Sequence, residues 1–303
     1  MTFSLTVLGS SSAIPTLTRN PSAHLLNVNE RLFLIDCAEG TQIQLRKYHA
    51  HIQRLRHIFI SHLHGDHYYG LIGLLTTLHL LGRREELHLY AHAMLEEIIT
   101  IQLQASQTVL LYPLHFHPLR EDQYELIYED QALTVHSFPV VHSIPTCGFI
   151  FREKLQERKI KKEIIEKMDI PVSAMQKIKR GEDFIDEKGK LHHNETLTVD
   201  PPKPRSFAYC ADTIYSETII SYIQNCDLLF HETTFMQVMA SAAKEKWHST
   251  TIDAANIAEK GHVKKLVIGH FSARYDDLQP ILEEAKKVFP ETYLAEDGSK
   301  FHI

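Results

Sequence analysis

The sequence predicts an α/β fold in which helices cover mixed β-sheets. Short apolar, β-rich segments alternate along the chain with segments of helical periodicity, which is typical of α/β layers. Pairs of successive strand-like segments interrupt this alternation and predict strand pairs within the sheets. The 303 residues contain no internal repeat, so we expect a layered domain and not a repeat array.

The predicted elements can be placed in order along the chain. Strands are expected where apolar residues alternate or run together, at 3–8, 23–28, 31–37, 56–62, 87–92, 133–143, 146–153, 205–213, 226–234 and 265–270. Helices are expected where apolar residues are interspersed with polar ones over longer segments, at 39–48, 68–82, 93–106 and 251–261. Ile43 and Leu45 stand among polar residues in the first of these helices, and Gly82 ends the second.

The composition is ordinary for a globular protein with a sizeable core. Hydrophobic residues make up 44% of the chain and charged residues 23%. The first residues lack a basic segment followed by a long apolar run, so we expect no signal peptide, and no run reaches the roughly 18 apolar residues of a membrane helix. The cysteines are widely spaced and form no Cys-x-x-Cys pair, so we expect them to be reduced core residues of a cytoplasmic protein. They are Cys37, Cys147, Cys210 and Cys226.

The charge is unevenly distributed. The formal net charge is −6, yet ten basic and five acidic residues between Arg152 and Arg180 give that stretch a local charge of +5. We interpret 152–195 as an insertion between two core strands, with a helix around 153–167 followed by a loop. The plainer alternative is a solvated helix, since acidic and basic residues stand there at spacings that pair on a helix.

One cluster stands out among the 21 histidines. The segment SHLHGDH places three imidazoles and a carboxylate directly after a strand, with Gly65 easing a tight turn. These groups suit Zn²⁺ or Mn²⁺, and burying them together without a cation costs free energy unless each finds a partner. The segment predicts that His62 and His64 share one metal and that Asp66 and His67 point to a second.

Two metals need further ligands from elsewhere in the chain. Three candidates stand at the ends of later strand-like segments, and they are His142, Asp212 and His270. A carboxylate such as Asp212 can bridge two cations, whereas one imidazole nitrogen cannot. A lone histidine after a strand is more often a hydrogen-bonded residue than a ligand, and no role is predicted for His79, His88, His92, His115, His117 or His136.

The pattern His-x-His-x-Asp-His after a strand resembles the signature of the metallo-β-lactamase superfamily. That fold is an αββα sandwich with two metals at one edge of the paired sheets, and the resemblance implies a single domain over 1–303. Further segments are similar to the ribonuclease Z family of tRNA 3′-processing endonucleases, from about residue 3 to 303. They are LGSSSAIPTLTRNPSAHLL, FLIDCAEGTQIQL, SHLHGDHYYGLIGLL, FAYCADT, LLFHETTF, HSTTIDAANIAEK and HFSARY.

This resemblance implies a role for each matching residue. The implied cofactors are two Zn²⁺ per subunit, with Mn²⁺ also compatible. The implied ligands are His62, His64 and His142 for one metal and Asp66, His67 and His270 for the second, with Asp212 bridging the two.

Further residues gain a role only through the resemblance. His248 corresponds to a proton donor near the scissile phosphate. Arg274 would contact a phosphate oxygen, although an internal salt bridge suits it nearly as well. The insertion 152–195 falls where the family carries its tRNA-binding arm. The Gly-Pro steps that precede the tip of the arm in the family are absent from this sequence. The residues that match the end of the tip are Lys177, Lys179 and Arg180.

The implied reaction removes the 3′ trailer from precursor tRNA. A hydroxide held by the metals attacks phosphorus in line, Asp66 orients that hydroxide, and His248 protonates the leaving 3′-oxygen. The products are a tRNA with a 3′-hydroxyl and a trailer with a 5′-phosphate. The resemblance also implies a homodimer, and we expect no membrane partner and a cytoplasmic location.

Other functions compete with this interpretation. The first is a metallo-hydrolase of small phosphodiesters on the same fold, which has no use for a long basic insertion. The second is a metal-bearing RNA-binding protein without catalysis. The complete ligand set together with His248 argues against it, because such a protein does not require them. Hydrolysis of thioesters or β-lactams fits the ligands but leaves the HST motif and the insertion unexplained.

Overall fold

The computed structural model describes residues 2–303 and divides them into two units. The first contains the residues up to Tyr128, Val135–Phe151 and Arg205–Ile303, and the second contains Glu129–Thr134 and Arg152–Pro204. The strands in chain order are β1 (Phe3–Gly9), β2 (Ala23–Val28), β3 (Arg31–Cys37), β4 (Leu55–Phe59), β5 (Leu87–Ala91), β6 (Leu114–Pro118), β7 (Glu125–Glu129), β8 (Leu133–Pro139), β9 (Cys147–Glu153), β10 (Lys159–Ile160), β11 (Phe184–Ile185), β12 (Leu191–His192), β13 (Thr198–Val199), β14 (Ser206–Cys210), β15 (Leu228–Glu232), β16 (Leu266–Gly269), β17 (Thr292–Leu294) and β18 (Lys300–His302).

Two seven-stranded sheets form the centre of the first unit. Their strand orders are β18-β1-β2-β3-β4-β5-β6 and β17-β16-β15-β14-β9-β8-β7. In the first sheet β18, β1, β2 and β3 pair antiparallel, and β3 to β6 are parallel. In the second, β14 to β17 are parallel. The central parallel strands β15 and β16 are wholly buried, which fits the apolar residues LLF at the start of β15 and LVI in β16.

The helices in chain order are α1 (Thr41–Lys47), α2 (Gly65–Tyr68), α3 (Leu71–Leu80), α4 (Met94–Ala105), α5 (Lys162–Lys167), α6 (Val172–Lys179), α7 (Asn194–Leu197), α8 (Ile220–Ile223), α9 (Ala240–Glu245), α10 (Thr251–Lys260) and α11 (Gln279–Lys286). The helices predicted at 39–48, 68–82, 93–106 and 251–261 are present as α1, α3, α4 and α10 with shorter bounds, and the structure contains further helices. A capping box starts α10, in which the side chains of Thr250 and Asp253 each accept a hydrogen bond from the other's backbone N–H. Gly82, at φ +74°, follows the last turn of α3.

Helices cover the outer faces of both sheets, and aromatic rings fill the space between the two sheets. One buried cluster joins the first sheet to α1, α3 and α4, and another joins the second sheet to α10 and α11. Between the sheets, ring centroids lie 5.7 Å apart for Phe33 and Phe151 and 5.4 Å apart for Phe59 and Phe149. The predicted α/β fold, with helices flanking two mixed sheets, is confirmed.

The cysteines agree with the prediction of reduced core residues. Cys37, Cys147, Cys210 and Cys226 are all buried and free of disulfide bonds. Within residues 2–303, every helix is too short or too polar to cross a bilayer.

The second unit has a small core of its own. The helix predicted around 153–167 is wrong in its start, because β9 continues to Glu153 and α5 begins only at Lys162. Between them β10 pairs with β13, which lets Ile160 pack on the core of this unit. The predicted loop also contains α6, α7 and the strand pair β11–β12. The buried residues of this core are Ile170, Ile178 and Leu197.

Gly70 lies where α3 meets the chain that leaves β3. We expect Gly70→Ala to lower the free energy of unfolding by about 3 kcal/mol, because an added Cβ would lie 1.8 Å from the carbonyl oxygen of Ala38. Gly73→Ala on the same helix is the matched control, since its Cβ meets only the flexible end of Gln42, at 2.8 Å. Urea unfolding measures both variants, and equal stabilities would contradict the prediction.

Candidate metal centre

The first predicted ligands lie at the C-terminal end of β4. His62 and His64 follow the strand, and α2 begins directly after them, so Asp66 and His67 lie in its first turn. His62 and His67 are fully buried, whereas His64 and Asp66 are partly exposed. The tight exit from the strand thus directs four metal-binding side chains to one edge of the sheet.

The second sheet supplies the other predicted ligands. His142, Asp212 and His270 follow β8, β14 and β16, respectively. His270 has φ +60°, a left-handed conformation that non-glycine residues rarely adopt. Such strain is typical of residues whose backbone is held by a functional site.

Four side chains form a first ligand group. Nδ1 of His64 lies 3.1 Å from Nε2 of His62 and 3.2 Å from Nε2 of His142. Oδ2 of Asp212 lies 3.7 Å and 4.0 Å from the same two Nε2 atoms. All four ligand atoms lie within 4.8 Å of one another, which suits a four-coordinate cation.

A second ligand group lies beside the first. Oδ2 of Asp66 lies 3.8 Å from Nε2 of His67 and 3.4 Å from Nε2 of His270. The Asp212 carboxylate contacts both imidazoles, with Oδ2 lying 3.4 Å from Nε2 of His67 and Oδ1 lying 3.3 Å from Nε2 of His270. Asp212 therefore stands between the two groups and reaches both.

The chemistry of these groups fits metal cations. Within residues 2–303, the buried atoms Nε2 of His67 and Oδ1 of Asp212 have no hydrogen-bond partner, an arrangement that costs free energy unless a cation lies between them. Burial lowers the pKa values of the imidazoles in the first group and holds them in the neutral form that binds a metal. Those imidazoles belong to His62, His64 and His142.

Asp36 orients His67 from behind. Its Oδ2 lies 2.7 Å from Nδ1 of His67 and accepts a hydrogen bond of 2.7 Å from the Tyr209 hydroxyl. Burial opposes a charge on His67, but the carboxylates of Asp212 and Asp36 raise its pKa well above the usual value, so this position attracts positive charge. Sequence reasoning missed Asp36, whose signal is a single acidic residue at the end of an apolar strand.

We expect Asp36→Asn to weaken metal affinity about 10- to 100-fold, because the carboxylate that fixes the ring of a metal-binding histidine is lost. Competition with a chelator measures the affinity. Tyr209→Phe is the matched control, since it leaves the carboxylate in place and removes one hydrogen bond, and it should have a smaller effect. An unchanged affinity in Asp36→Asn would show that the contact with His67 does not support the site.

Two more of the predicted ligands are also held through their second ring nitrogen. Nδ1 of His270 lies 2.9 Å from the Thr234 hydroxyl, and Nδ1 of His142 lies 2.8 Å from the backbone carbonyl oxygen of Trp247. These contacts leave the Nε2 atoms of His142 and His270 directed at the ligand groups.

His248 is paired with a buried glutamate. Its Nδ1 lies 3.0 Å from Oε1 of Glu232, and the Thr234 backbone N–H and hydroxyl donate to the other oxygen. Burial opposes protonation of His248, but the adjacent Glu232 carboxylate raises its pKa to about 9. The raised pKa favours the protonated form of His248 at neutral pH. Glu232 stands in the HETT segment, and sequence reasoning gave it no role.

An open cleft of about 470 Å³ leads to both ligand groups. His64, Asp66 and His248 form part of its wall. The backbone N–H of Ala13 donates a 2.7 Å hydrogen bond to Oδ2 of Asp66 and ties the loop after β1 to the site.

The remaining predicted site residues lie in different surroundings. Arg274 is exposed, its Nε donates to the Ser272 hydroxyl over 3.1 Å, and its guanidinium lies 5.1 Å from the centre of the Phe235 ring. The other three belong to the second unit, at the C-terminal end of α6, and they are Lys177, Lys179 and Arg180.

Comparisons with known proteins identify the family and the fold. Residues 3–157 match the family model of the Anti-Pycsar protein Apyc1, and this match covers half of the chain and places it in the family that the model describes. A protein from Phocaeicola vulgatus named ribonuclease Z is 44% identical over 301 residues, which cover 99% of this chain and 97% of that protein.

Solved structures show the same fold. The short form of human tRNase Z superimposes with a TM-score of 0.72 at 27% identity, over 98% of both chains. The metallo-β-lactamase fold protein YhfI from Bacillus subtilis superimposes with a TM-score of 0.69 at 20% identity, over 100% of both chains. The chain therefore has the metallo-β-lactamase fold and belongs to the ribonuclease Z family of endoribonuclease hydrolases.

Proposed function

We propose that this enzyme removes the 3′ trailer from precursor tRNA and leaves a 3′-hydroxyl on the tRNA and a 5′-phosphate on the trailer. The observation that carries the proposal is the pair of ligand groups joined by Asp212 in an open cleft, with His248 hydrogen-bonded to Glu232 beside them. The full-length similarity to proteins named ribonuclease Z supports this choice of substrate.

The proposed cofactors are two Zn²⁺ ions, for which Mn²⁺ can substitute. Bound there, two divalent cations polarise a phosphoryl oxygen and acidify the attacking water. One would be held by the first ligand group and one by the second. The proposed ligands are His62, His64, His142, Asp66, His67, His270 and the bridging Asp212.

Asp66 would orient the attacking water, and His248 would protonate the leaving group. Asp66 already accepts a hydrogen bond from Ala13, and as a carboxylate it can accept another from the attacking water and orient it. Because Nδ1 of His248 faces Glu232, Nε2 remains to donate the proton to the leaving 3′-oxygen. An alkoxide is a poor leaving group, so this proton transfer contributes a factor of about 10² to 10⁴ in rate.

Recognition of the tRNA would depend on the basic second unit. Arg180 and Lys177 are exposed, which suits contacts with phosphate groups, and Lys179 is half-buried. The proposed contacts are Lys177, Lys179 and Arg180 in this unit and Arg274 near the metal centre. The acidic remainder of the protein would discourage unspecific binding of nucleic acid.

We also propose a homodimer in the cytoplasm. Large apolar side chains on α1, α3 and α4 are exposed, among them Ile43 at 65%, Leu80 at 81% and Ile101 at 63%. A second copy of the chain would cover such a surface. Light scattering measures the oligomeric state, and a monomer at all concentrations would contradict this part of the proposal.

The test of the proposed function is cleavage of a precursor tRNA that carries a 3′ trailer, with both product ends mapped. We expect His64→Ala to abolish cleavage and the exposed His51→Ala to leave it unchanged. Deletion of residues 154–195 should abolish tRNA cleavage and retain hydrolysis of a small phosphodiester. A wild-type enzyme that hydrolyses the small ester but not the tRNA would establish the alternative, a hydrolase of small phosphodiesters.

The pH dependence of the rate tests the pairing of Glu232 with His248. The acid form of His248 is present below its pKa of about 9 and is lost as pH rises through that value. Glu232→Gln removes the carboxylate that raises this pKa, so we expect the alkaline fall of kcat to move to lower pH. Profiles from about pH 6 to about pH 10 measure it, and an unmoved limb would mean that another group titrates there.

A further inference from the structure

A second group of histidines lies on the first sheet, away from the metal centre. His88 on β5 is paired in register with His115 on β6, and His117 lies two residues further along β6 on the same face. Glu86 lies two residues before His88. We name these four residues the β5–β6 cluster.

The Glu86 carboxylate joins two imidazoles of this cluster. Its Oε1 lies 3.7 Å from Nε2 of His88, and its Oε2 lies 3.4 Å from Nε2 of His115. The two rings stack with centroids 4.9 Å apart. Nitrogen-to-oxygen separations in the metal centre span 3.3 to 4.0 Å, and both separations from Glu86 fall in this range. The three ligand atoms are not yet as close to one another as those of the metal centre, so Glu86 and His115 must rotate before all three can bind one cation.

The outer contacts also resemble those of a metal-binding histidine. Nδ1 of His88 lies 2.9 Å from Nε2 of His117, which fixes the ring and leaves Nε2 of His88 directed at Glu86. His117 is itself stacked on Tyr90 with centroids 4.4 Å apart. On the other side, the ring of His57 stacks on His88 at 5.1 Å. The rings of His57 and His115, which stack on the two sides of His88, therefore limit the rotation of its side chain.

The cluster is reachable from solvent. The side chain of His88 is 23% exposed, that of His115 is 45% exposed and that of Glu86 is 49% exposed. A cation can enter from the open side, and small rotations of the exposed Glu86 and His115 side chains can adjust the three ligand atoms.

The cluster and the metal centre use opposite ends of the same parallel strands. His57 pairs with His88, and it precedes the ligand His62 by five residues on one extended chain. At about 3.3 Å per residue the two sites are roughly 16 Å apart. A cation at one site therefore shares no ligand with the other.

We propose that Glu86, His88 and His115 bind one further transition-metal cation, with His117 orienting His88. Two imidazoles and a carboxylate suit Zn²⁺ and bind Cu²⁺ more tightly. The bound cation would connect the edge strand β6 to β5 and leave the proposed catalytic residues untouched. The site is independent of the substrate of the enzyme.

The test is titration of the enzyme with Zn²⁺ after the metal centre has been filled, followed by calorimetry and metal analysis. We expect one additional Zn²⁺ per chain. His115→Asn and Glu86→Gln should each weaken this extra site about 100-fold and leave tRNA cleavage unchanged. His302→Asn, an exposed histidine on the opposite edge strand of the same sheet, is the matched control and should bind normally.

A second measurement uses Cu²⁺ as the probe. Electron paramagnetic resonance of the additional Cu²⁺ should show coupling to two imidazole nitrogens, and His88→Asn should remove one of them. Absence of an additional site would overturn the proposal. So would an additional site whose affinity is the same in His115→Asn, Glu86→Gln and the control.

Discussion

Asp212→Asn is expected to lower kcat for tRNA cleavage by at least about 10³-fold, since stabilisation by the cations amounts to several kcal/mol. The carboxylate reaches both ligand groups, with Oδ2 3.4 Å from His67 and Oδ1 3.3 Å from His270. A carboxamide of the same shape offers one neutral oxygen in place of a bridging anion. We therefore expect the purified variant to retain fewer than two metals per chain.

Metal analysis and initial rates measure both effects of this substitution. Asp227→Asn is the matched control, because Asp227 also lies at an end of a strand of the second sheet but contacts Ser206 and Lys264 outside the site. A variant at position 212 that keeps two tightly bound cations and full activity would exclude Asp212 as the bridge.

His248→Ala is expected to lower kcat for precursor tRNA by about 10³-fold, with metal content unchanged. A second role competes with this one, because His248 also lies within ligand distance of Asp212 and His270. The hydrogen bond from Nδ1 to Glu232 and the raised pKa favour the acid, since a protonated imidazole does not bind a metal.

The choice of leaving group separates the two roles. A phosphodiester with a nitrophenolate leaving group needs no proton, so His248→Ala should hydrolyse it at nearly the wild-type rate if His248 is an acid. An equal loss on both substrates, together with a lost cation, would identify His248 as a ligand. Wild-type enzyme and the exposed His51→Ala variant are the controls.

The local part of the site is predictable from the sequence because its residues are contiguous. Four side chains of metal-binding types within six residues predict a metal site, at His62, His64, Asp66 and His67. His142, Asp212 and His270 each follow a strand, and only the order of these strands in the second sheet brings them to one edge. Spacing along the chain carries no record of that pairing, so their roles depended on the resemblance to a family.

The supporting residues were beyond sequence reasoning for a different physical reason. Asp36 and Glu232 each stand as a single acidic residue in the C-terminal part of a strand, and nothing local distinguishes them from carboxylates in salt bridges. The start of α5 was misjudged because mixed charges at helical spacing occur equally in a chain that pairs as β10. His88 and His115 are 27 residues apart and meet only through the register of β5 with β6.

The proposed ligands of the metal centre span the chain from His62 to His270, which has a consequence for protein synthesis. A nascent chain on the ribosome carries the SHLHGDH segment early, but the centre lacks Asp212 and His270 until β14 and β16 have been translated. Domains fold as units while translation proceeds at about 5–20 residues per second, so a partial chain holds an incomplete cation site for many seconds. With these ligands, nuclease activity would begin only after nearly the whole domain has left the ribosome, and an unfinished chain would not cut the RNAs around it.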